Sequence, residues 1–113
     1  MSGLLLISTL VLFLRFELAC SLNCAIANEN STVTLSCSPG LVGSIMYASY
    51  GNGLGTCPNF VLGDCNSANS LSIISAACLG SASCTVNATI TTFGDPCPGV
   101  SKKLMVVYEC YGT

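Results

Sequence analysis

The sequence has no histidine, no tryptophan, and only three basic and five acidic side chains in 113 residues. Without histidine, the commonest general acid–base near neutral pH and the commonest metal ligand are both missing. A carboxylate pair for glycoside hydrolysis would have to come from Glu29, Asp64, Asp95 and Glu109. Glu109 beside Cys110 reads better as a solvated edge charge, and Asp64 after Gly63 as a turn former. No Cys-x-x-Cys pair offers the usual zinc spacing. An enzyme is therefore not expected, nor a metal or other cofactor. Beyond the N-terminal segment the only cations are Lys102 and Lys103. That leaves no basic stripe for nucleic acid and no polybasic patch for a membrane surface.

A membrane-spanning run is also lacking. Gly3 to Leu14 (GLLLISTLVLFL) is uncharged and apolar for twelve residues, where a spanning helix needs about 20 and a signal-peptide core about 7–15. No cation precedes the run, and Arg15 and Glu17 follow it. Residues 1–21 are expected to be a signal peptide, cut after the small-x-small pattern Ala19-Cys20-Ser21 to leave residues 22–113 as one secreted, extracellular domain. The alternative keeps Cys20 as an intermolecular bridge or a lipid-bearing terminus.

What is abundant is cysteine: nine residues, eight of them between Cys24 and Cys110. Loss of Cys20 leaves an even number, the parity of a disulfide framework, with 105 connectivities open. A domain of about 90 residues is small enough for covalent staples to supplement its core. Two sequons, Asn30-Ser31-Thr32 and Asn87-Ala88-Thr89, are expected glycan acceptors in a eukaryotic secretory pathway.

Thr32 to Cys37 alternates like a half-buried strand ended by Pro39-Gly40, and Ser44 to Tyr50 reads as a second. Residues 51–64, rich in glycine and asparagine, read as a long loop held by Cys57 and Cys65. Asn69 to Leu79 is the helical candidate, with Leu71, Ile74 and Cys78 on one face and Gly80 past its end. Cys84 to Ala88 reads as a short strand. Leu104 to Cys110 is the strongest strand, with Leu104, Val106, Tyr108 and Cys110 on one face. The expected class is a small disulfide-rich α+β domain: an antiparallel β-sheet, one or two helices, and long bridged loops.

Two segments carry candidate chemistry. In Ala48-Ser49-Tyr50-Gly51-Asn52 an aromatic at a strand end precedes a glycine that admits a close neighbour. In Phe93 to Lys103 (FGDPCPGVSKK) an acid stands two residues before Cys97 and a lysine five after it. A carboxylate to accept hydroxyl protons, an ammonium to donate, and an aromatic face are the parts of a sugar site. The plainer reading makes Asp95-Pro96 a turn, Tyr50 a packing residue, and both lysines solvated.

The motifs ASYGN (48–52), CLGSASCTV (78–86) and FGDPCPGVSKKLMVVYEC (93–110) resemble the SUEL-type, rhamnose- or galactose-binding lectin domain. That domain occurs in egg lectins, latrophilins and the C-termini of plant β-galactosidases, and the plant version is the most similar. The resemblance runs from Cys24 to Cys110. It implies the bridges Cys24–Cys57, Cys37–Cys110, Cys65–Cys97 and Cys78–Cys84. It also implies that Asp95 accepts from sugar hydroxyls, Lys102 donates, Gly99 borders the site with its backbone, and the sugar packs on Tyr50. Three residues depart from the family pattern. Ala25 stands where a glutamate often follows the first cysteine, Asn52 replaces an arginine, and Ile90 replaces an asparagine.

The resemblance implies a secreted lectin that binds galactose- or rhamnose-type glycans without metal, with self-association into a homodimer needed for agglutination. The rival reading, motivated by Ala25 and Ile90, is an extracellular protein-interaction module that has kept the fold and lost the sugar. A fragment of a larger glycosidase is the third reading, disfavoured by a leader directly before Cys24.

Overall fold

The structure, a computed structural model, describes residues 22–112. The expected signal peptide, its cleavage site and Cys20 lie outside the described residues. The elements run β1 (Leu22–Asn28), β2 (Thr32–Ser36), β3 (Leu41–Gly51), β4 (Leu54–Thr56), β5 (Asn59–Val61), α1 (Ser70–Cys78), β6 (Ser83–Asn87), α2 (Ile90–Phe93) and β7 (Lys103–Tyr111). Strand β7 is the centre of a three-stranded sheet ordered β1-β7-β3, antiparallel on both sides. Two-stranded pairs β2–β6 and β4–β5 complete the α+β domain.

The LMVVY run of β7 is apolar on both faces because both are covered. Leu104, Val106 and Tyr108 enter the main core with Leu35 and Ile74, while Met105 and Val107 pack on the other side under Phe60 of β5. A strand buried on both faces reads as a continuous apolar run rather than an alternation. The face expected for Leu104, Val106, Tyr108 and Cys110 is the one observed.

Strand β3 has eleven residues against nine in β7, and two bulges absorb the excess, between Val42 and Ser44 and between Ile45 and Tyr47. Each bulge inserts one residue and resets the side-chain alternation. Val42, Ile45, Ala48 and Tyr50 therefore all oppose core-facing residues of β7 despite their uneven spacing. The second reset cancels the first, so Ala48 and Tyr50 return to the face of Val42, and only Ile45 owes its inward place to a bulge.

Two expectations change, and one strand, β1, comes without a sequence reading. Residues 51–64 are not only loop: β4 and β5 form a small hairpin whose Phe60 caps the outer face of the sheet. Strand β1 is weakly patterned in sequence and owes its place to full pairing with β7. In α1 the buried positions are Ser70, Ile74 and Cys78, while Leu71 is half exposed. Ser70 takes the inward position because its hydroxyl accepts the Tyr50 N–H at 3.0 Å and donates to the Ser67 carbonyl at 2.7 Å.

The disulfides are Cys24–Cys57, Cys37–Cys110, Cys65–Cys97 and Cys78–Cys84, the pairing implied by the resemblance. Loop-closure entropy gives Cys37–Cys110, 73 residues apart, about 4 kcal/mol and Cys78–Cys84, six apart, about 2. Among the described residues no helix is long and apolar enough to cross a membrane.

Candidate functional site

The turn Cys97-Pro98-Gly99-Val100 leads into β7. Val100 N–H donates to the Cys97 carbonyl at 3.2 Å, and Gly99 has φ +82°. Proline then glycine with positive φ at the two central positions is the signature of a type II turn. Gly99 is exposed, and a Cβ there would meet nothing within 4 Å. Its requirement is backbone conformation, not space.

Lys102 folds back into this turn. Its side chain is 3% exposed, and the ammonium donates to the carbonyls of Val100 at 2.7 Å and Cys97 at 3.2 Å. Asp95 Oδ1 lies 3.0 Å from the same nitrogen and Glu29 Oε2 3.9 Å. An ammonium has three protons, and two carbonyls and a carboxylate account for them. Burial alone would lower its pKa, but the hydrogen bond it donates to Asp95 and the charges of Asp95 and Glu29 outweigh burial and hold it above the ordinary lysine value. Lys102 is thus the organiser of the 95–102 loop. Lys103, one residue on, is solvent-exposed.

Asp95 keeps a third of its side-chain surface open, and Lys102 engages only one of its oxygens. Beneath the charged cluster lies Tyr50, wholly buried, its ring stacked on Phe93 with centroids 4.9 Å apart and planes at 18°. The Tyr50 hydroxyl is buried without a hydrogen-bond partner among the described residues. Burial raises its pKa, with a further push from Glu29 and Asp95 and an opposing pull from Lys102. The structure therefore brings Asp95 and Lys102 into contact and sets Gly99 in their loop. It places Tyr50 as the packed floor, not as an exposed aromatic face.

Glu29 was not legible as a site residue. Beyond the end of β1, the pairing Asn28↔Lys103 continues as Glu29 N–H to the Lys102 carbonyl at 3.0 Å, and Lys102 N–H returns to Glu29 Oε1 at 3.0 Å. Ala25, where the family pattern suggested an acid, opposes Val106 and packs against the core. The second carboxylate beside Lys102 is Glu29, four residues after Ala25. The place of Glu29 follows from β1 and its register with β7, a tertiary feature.

Asn52 is an anchor. It accepts the Cys65 N–H at 2.9 Å, donates to Asp64 at 2.8 Å, and its own N–H bonds the Cys65 carbonyl at 2.9 Å. Gly51 lies so close to that carbonyl that a Cβ would collide with it. Cys65 in turn bridges to Cys97 inside the Lys102 loop. Ser67 completes the support: its N–H bonds the Tyr50 carbonyl at 2.9 Å and its hydroxyl the Phe93 carbonyl at 2.6 Å, fixing the stacked pair. Ile90 is half exposed at the start of α2, whose cap is Thr89. Both sequon asparagines, Asn30 and Asn87, are exposed.

Among the described residues no deep pocket forms, and no group of three or more potential ligands could hold a metal ion. The arrangement is a surface site: two carboxylates converge on one buried ammonium over an aromatic floor. It suits a polyhydroxylated ligand, whose hydroxyls donate to carboxylate oxygens and accept from a rearranged ammonium.

Residues 35–110 match the family model of the D-galactoside/L-rhamnose binding SUEL lectin domain. The chain is 42% identical over 89 residues to a D-galactoside-specific lectin of Heliocidaris crassispina, covering 73% of this chain and 84% of that protein. It is 43% identical over 90 residues to beta-galactosidase 8 of Arabidopsis thaliana, covering 75% of this chain but 11% of that protein. Beta-galactosidase 7 of Oryza sativa is 41% identical over 70 residues, covering 61% of this chain and 9% of that protein. The chain thus spans about a tenth of the length of the β-galactosidases it matches. Fold, bridges and matched residues agree: the chain belongs to the D-galactoside/L-rhamnose-binding SUEL lectin domain family.

Proposed function

We propose that this chain is a secreted lectin that binds a galactose- or rhamnose-type sugar reversibly and without metal. The observation that carries the reading is the Glu29–Lys102–Asp95 cluster, in which a buried ammonium holds two carboxylates at the surface. Asp95, the more open of the two, accepts sugar hydroxyls. Glu29 flanks it and orients the Lys102 backbone. Lys102 exchanges one of its carbonyl partners for a sugar oxygen, and the backbone around Gly99 borders the ring. Tyr50 and Phe93 form the base, with the Tyr50 hydroxyl available to a ligand that penetrates between the charged groups. Support for galactose comes from the Heliocidaris crassispina relative, whose name records D-galactoside specificity. Export is inferred from the apolar N-terminal run and the disulfides. A homodimer would supply the second site that agglutination needs. The catalysis of the β-galactosidase relatives is not carried over to this chain.

A glycan array screened with the intact, oxidised protein tests the reading. Binding to galactose- or rhamnose-terminated glycans, lost on Glu29→Gln, is the expected result. An array with no bound glycan would overturn it. One observation favours the rival protein-interaction reading: the β4–β5 hairpin exposes Leu54 at 66% and its cross-strand neighbour Val61 at 61%. A partner retained equally in excess galactose and rhamnose, and released by Leu54→Ser, would support that alternative.

A further inference from the structure

The two sequons are far apart in sequence and adjacent in space. Asn30 N–H donates to the Ala88 carbonyl at 2.8 Å, and Ala88 N–H returns to the Ser31 carbonyl at 2.8 Å. Thr32, the hydroxyl residue of the first sequon, pairs across the strands with Asn87, the acceptor of the second. Their settings nevertheless differ. Asn87 belongs to the outward face of the β2–β6 pair, in alternation with buried Val86 and Ala88, and shares that face with Thr85 and Thr34. Asn30 sits in the turn between β1 and β2, exposed, at φ +71°. Asparagine is among the few residues that tolerate this backbone region. Directly before it stands Glu29, whose carboxylate lies over Lys102.

We propose that Asn30 carries an N-linked glycan standing at the rim of the Glu29–Lys102–Asp95 site, and that this glycan restricts access of large glycan ligands. The inference rests on the reading of the chain as an exported sugar-binding protein. In the modification, the Asn30 side-chain nitrogen forms a C–N bond to the anomeric carbon of a lipid-linked oligosaccharide diphosphate. The C–O bond to the diphosphate breaks, the lipid diphosphate leaves, and the amide gives up one proton. Successive Cα atoms are about 3.8 Å apart, so the glycan begins one residue from the Glu29 carboxylate that flanks Asp95 beside Lys102. Asn87 lies on the hydroxyl-bearing face of the β2–β6 pair, next to Thr85 and Thr34 and not next in sequence to Glu29.

The test uses the full chain expressed in a eukaryotic secretory host that leaves high-mannose glycans. Peptide mapping reads occupancy at each sequon. Titration with a galactose-terminated oligosaccharide then compares the untreated protein, the protein trimmed by an endoglycosidase to one N-acetylglucosamine per site, Asn30→Gln and Asn87→Gln. Trimming is preferred to amidase removal, which would leave an added carboxylate beside Glu29. An occupied Asn30, with affinity raised about threefold or more by trimming and by Asn30→Gln but not by Asn87→Gln, is the expected result. An unmodified Asn30 in the exported protein, or the same affinity in all four samples, would overturn the proposal. A trimmed protein that binds no galactose at all would overturn the sugar-binding reading instead, and this proposal with it.

Discussion

The two ends of β7 are held by opposite kinds of chemistry. At its C-terminal end Cys110 is bridged to Cys37, and the Tyr108 hydroxyl closes a ring with the Ser36 backbone, accepting from its N–H at 3.0 Å and donating to its carbonyl at 3.2 Å. Around them pack Leu35, Ile74 and Val42, all fully buried. At its N-terminal end the apolar contacts stop at Leu104, and the chain is organised by Lys102, its two carboxylates, a type II turn and the Cys65–Cys97 bridge. The first end loses little by being dry, because the Tyr108 hydroxyl and the Ser36 N–H and carbonyl satisfy one another. The second keeps partly exposed carboxylates and a buried tyrosyl hydroxyl with no partner among the described residues. Stability is concentrated at one end, and unspent hydrogen-bonding capacity at the other.

Substitutions should separate the two ends. The largest effect on stability is expected from Leu35→Ala, which empties a fully buried site and should cost about 2–5 kcal/mol. Calorimetric melting should fall steeply, while sugar affinity measured well below the transition stays near that of the unaltered protein. Lys102→Met should do the reverse in kind. It leaves Asp95 and Glu29 without their cation and frees the Cys97 and Val100 carbonyls, so binding should fall below detection while the far-ultraviolet spectrum persists. A protein that still bound sugar after Lys102→Met would mean that the lysine does not organise the loop.

The pH dependence follows from two raised pKa values, those of Lys102 and Tyr50. In each case folding favours the protonated form. The stabilisation is complete below the ordinary values of 10.5 and 10.0 and is lost as pH rises through the higher folded values. Thermal melts should show an added loss of stability above about pH 10, and Lys102→Met should remove the lysine share of it. The smallest effect is expected from Gly99→Ala, which finds open space but must hold φ +82°. A cost of about 1–2 kcal/mol should appear in melting, with only a modest loss of affinity.

The dry end was legible in the sequence, and the wet end only in part. The LMVVYEC run, the TVTLSC alternation and the helix near Ile74 are local patterns, and local patterns survive in the fold. Strand β1 lacks such a pattern, since Asn23, Ala25 and Ala27 give a weak apolar face, and its pairing with β7 is set by tertiary contacts. Glu29 was lost with it. The burial of Tyr50 was equally hidden, because its cover comes from tertiary packing, with its ring stacked on the distant Phe93. Asp95, Gly99 and Lys102 lie within eight residues of one another, and their proximity needed no long-range register. That Lys102 is already saturated by its own loop could not be read from spacing alone.

The most direct test of the central claim, that the wet end of β7 is a sugar site, is isothermal titration of galactose and rhamnose into the oxidised protein and its Asp95→Ala variant, with melting of both recorded in parallel. Asp95 is partly solvated, so losing its ion pair should change stability by about 1 kcal/mol or less. The loss of a charged hydrogen bond to the ligand should weaken binding roughly 10- to 100-fold. Affinity that falls by that factor while the melting temperature barely moves is the result expected here. Asp95→Ala binding either sugar as tightly as the unaltered protein would contradict the account.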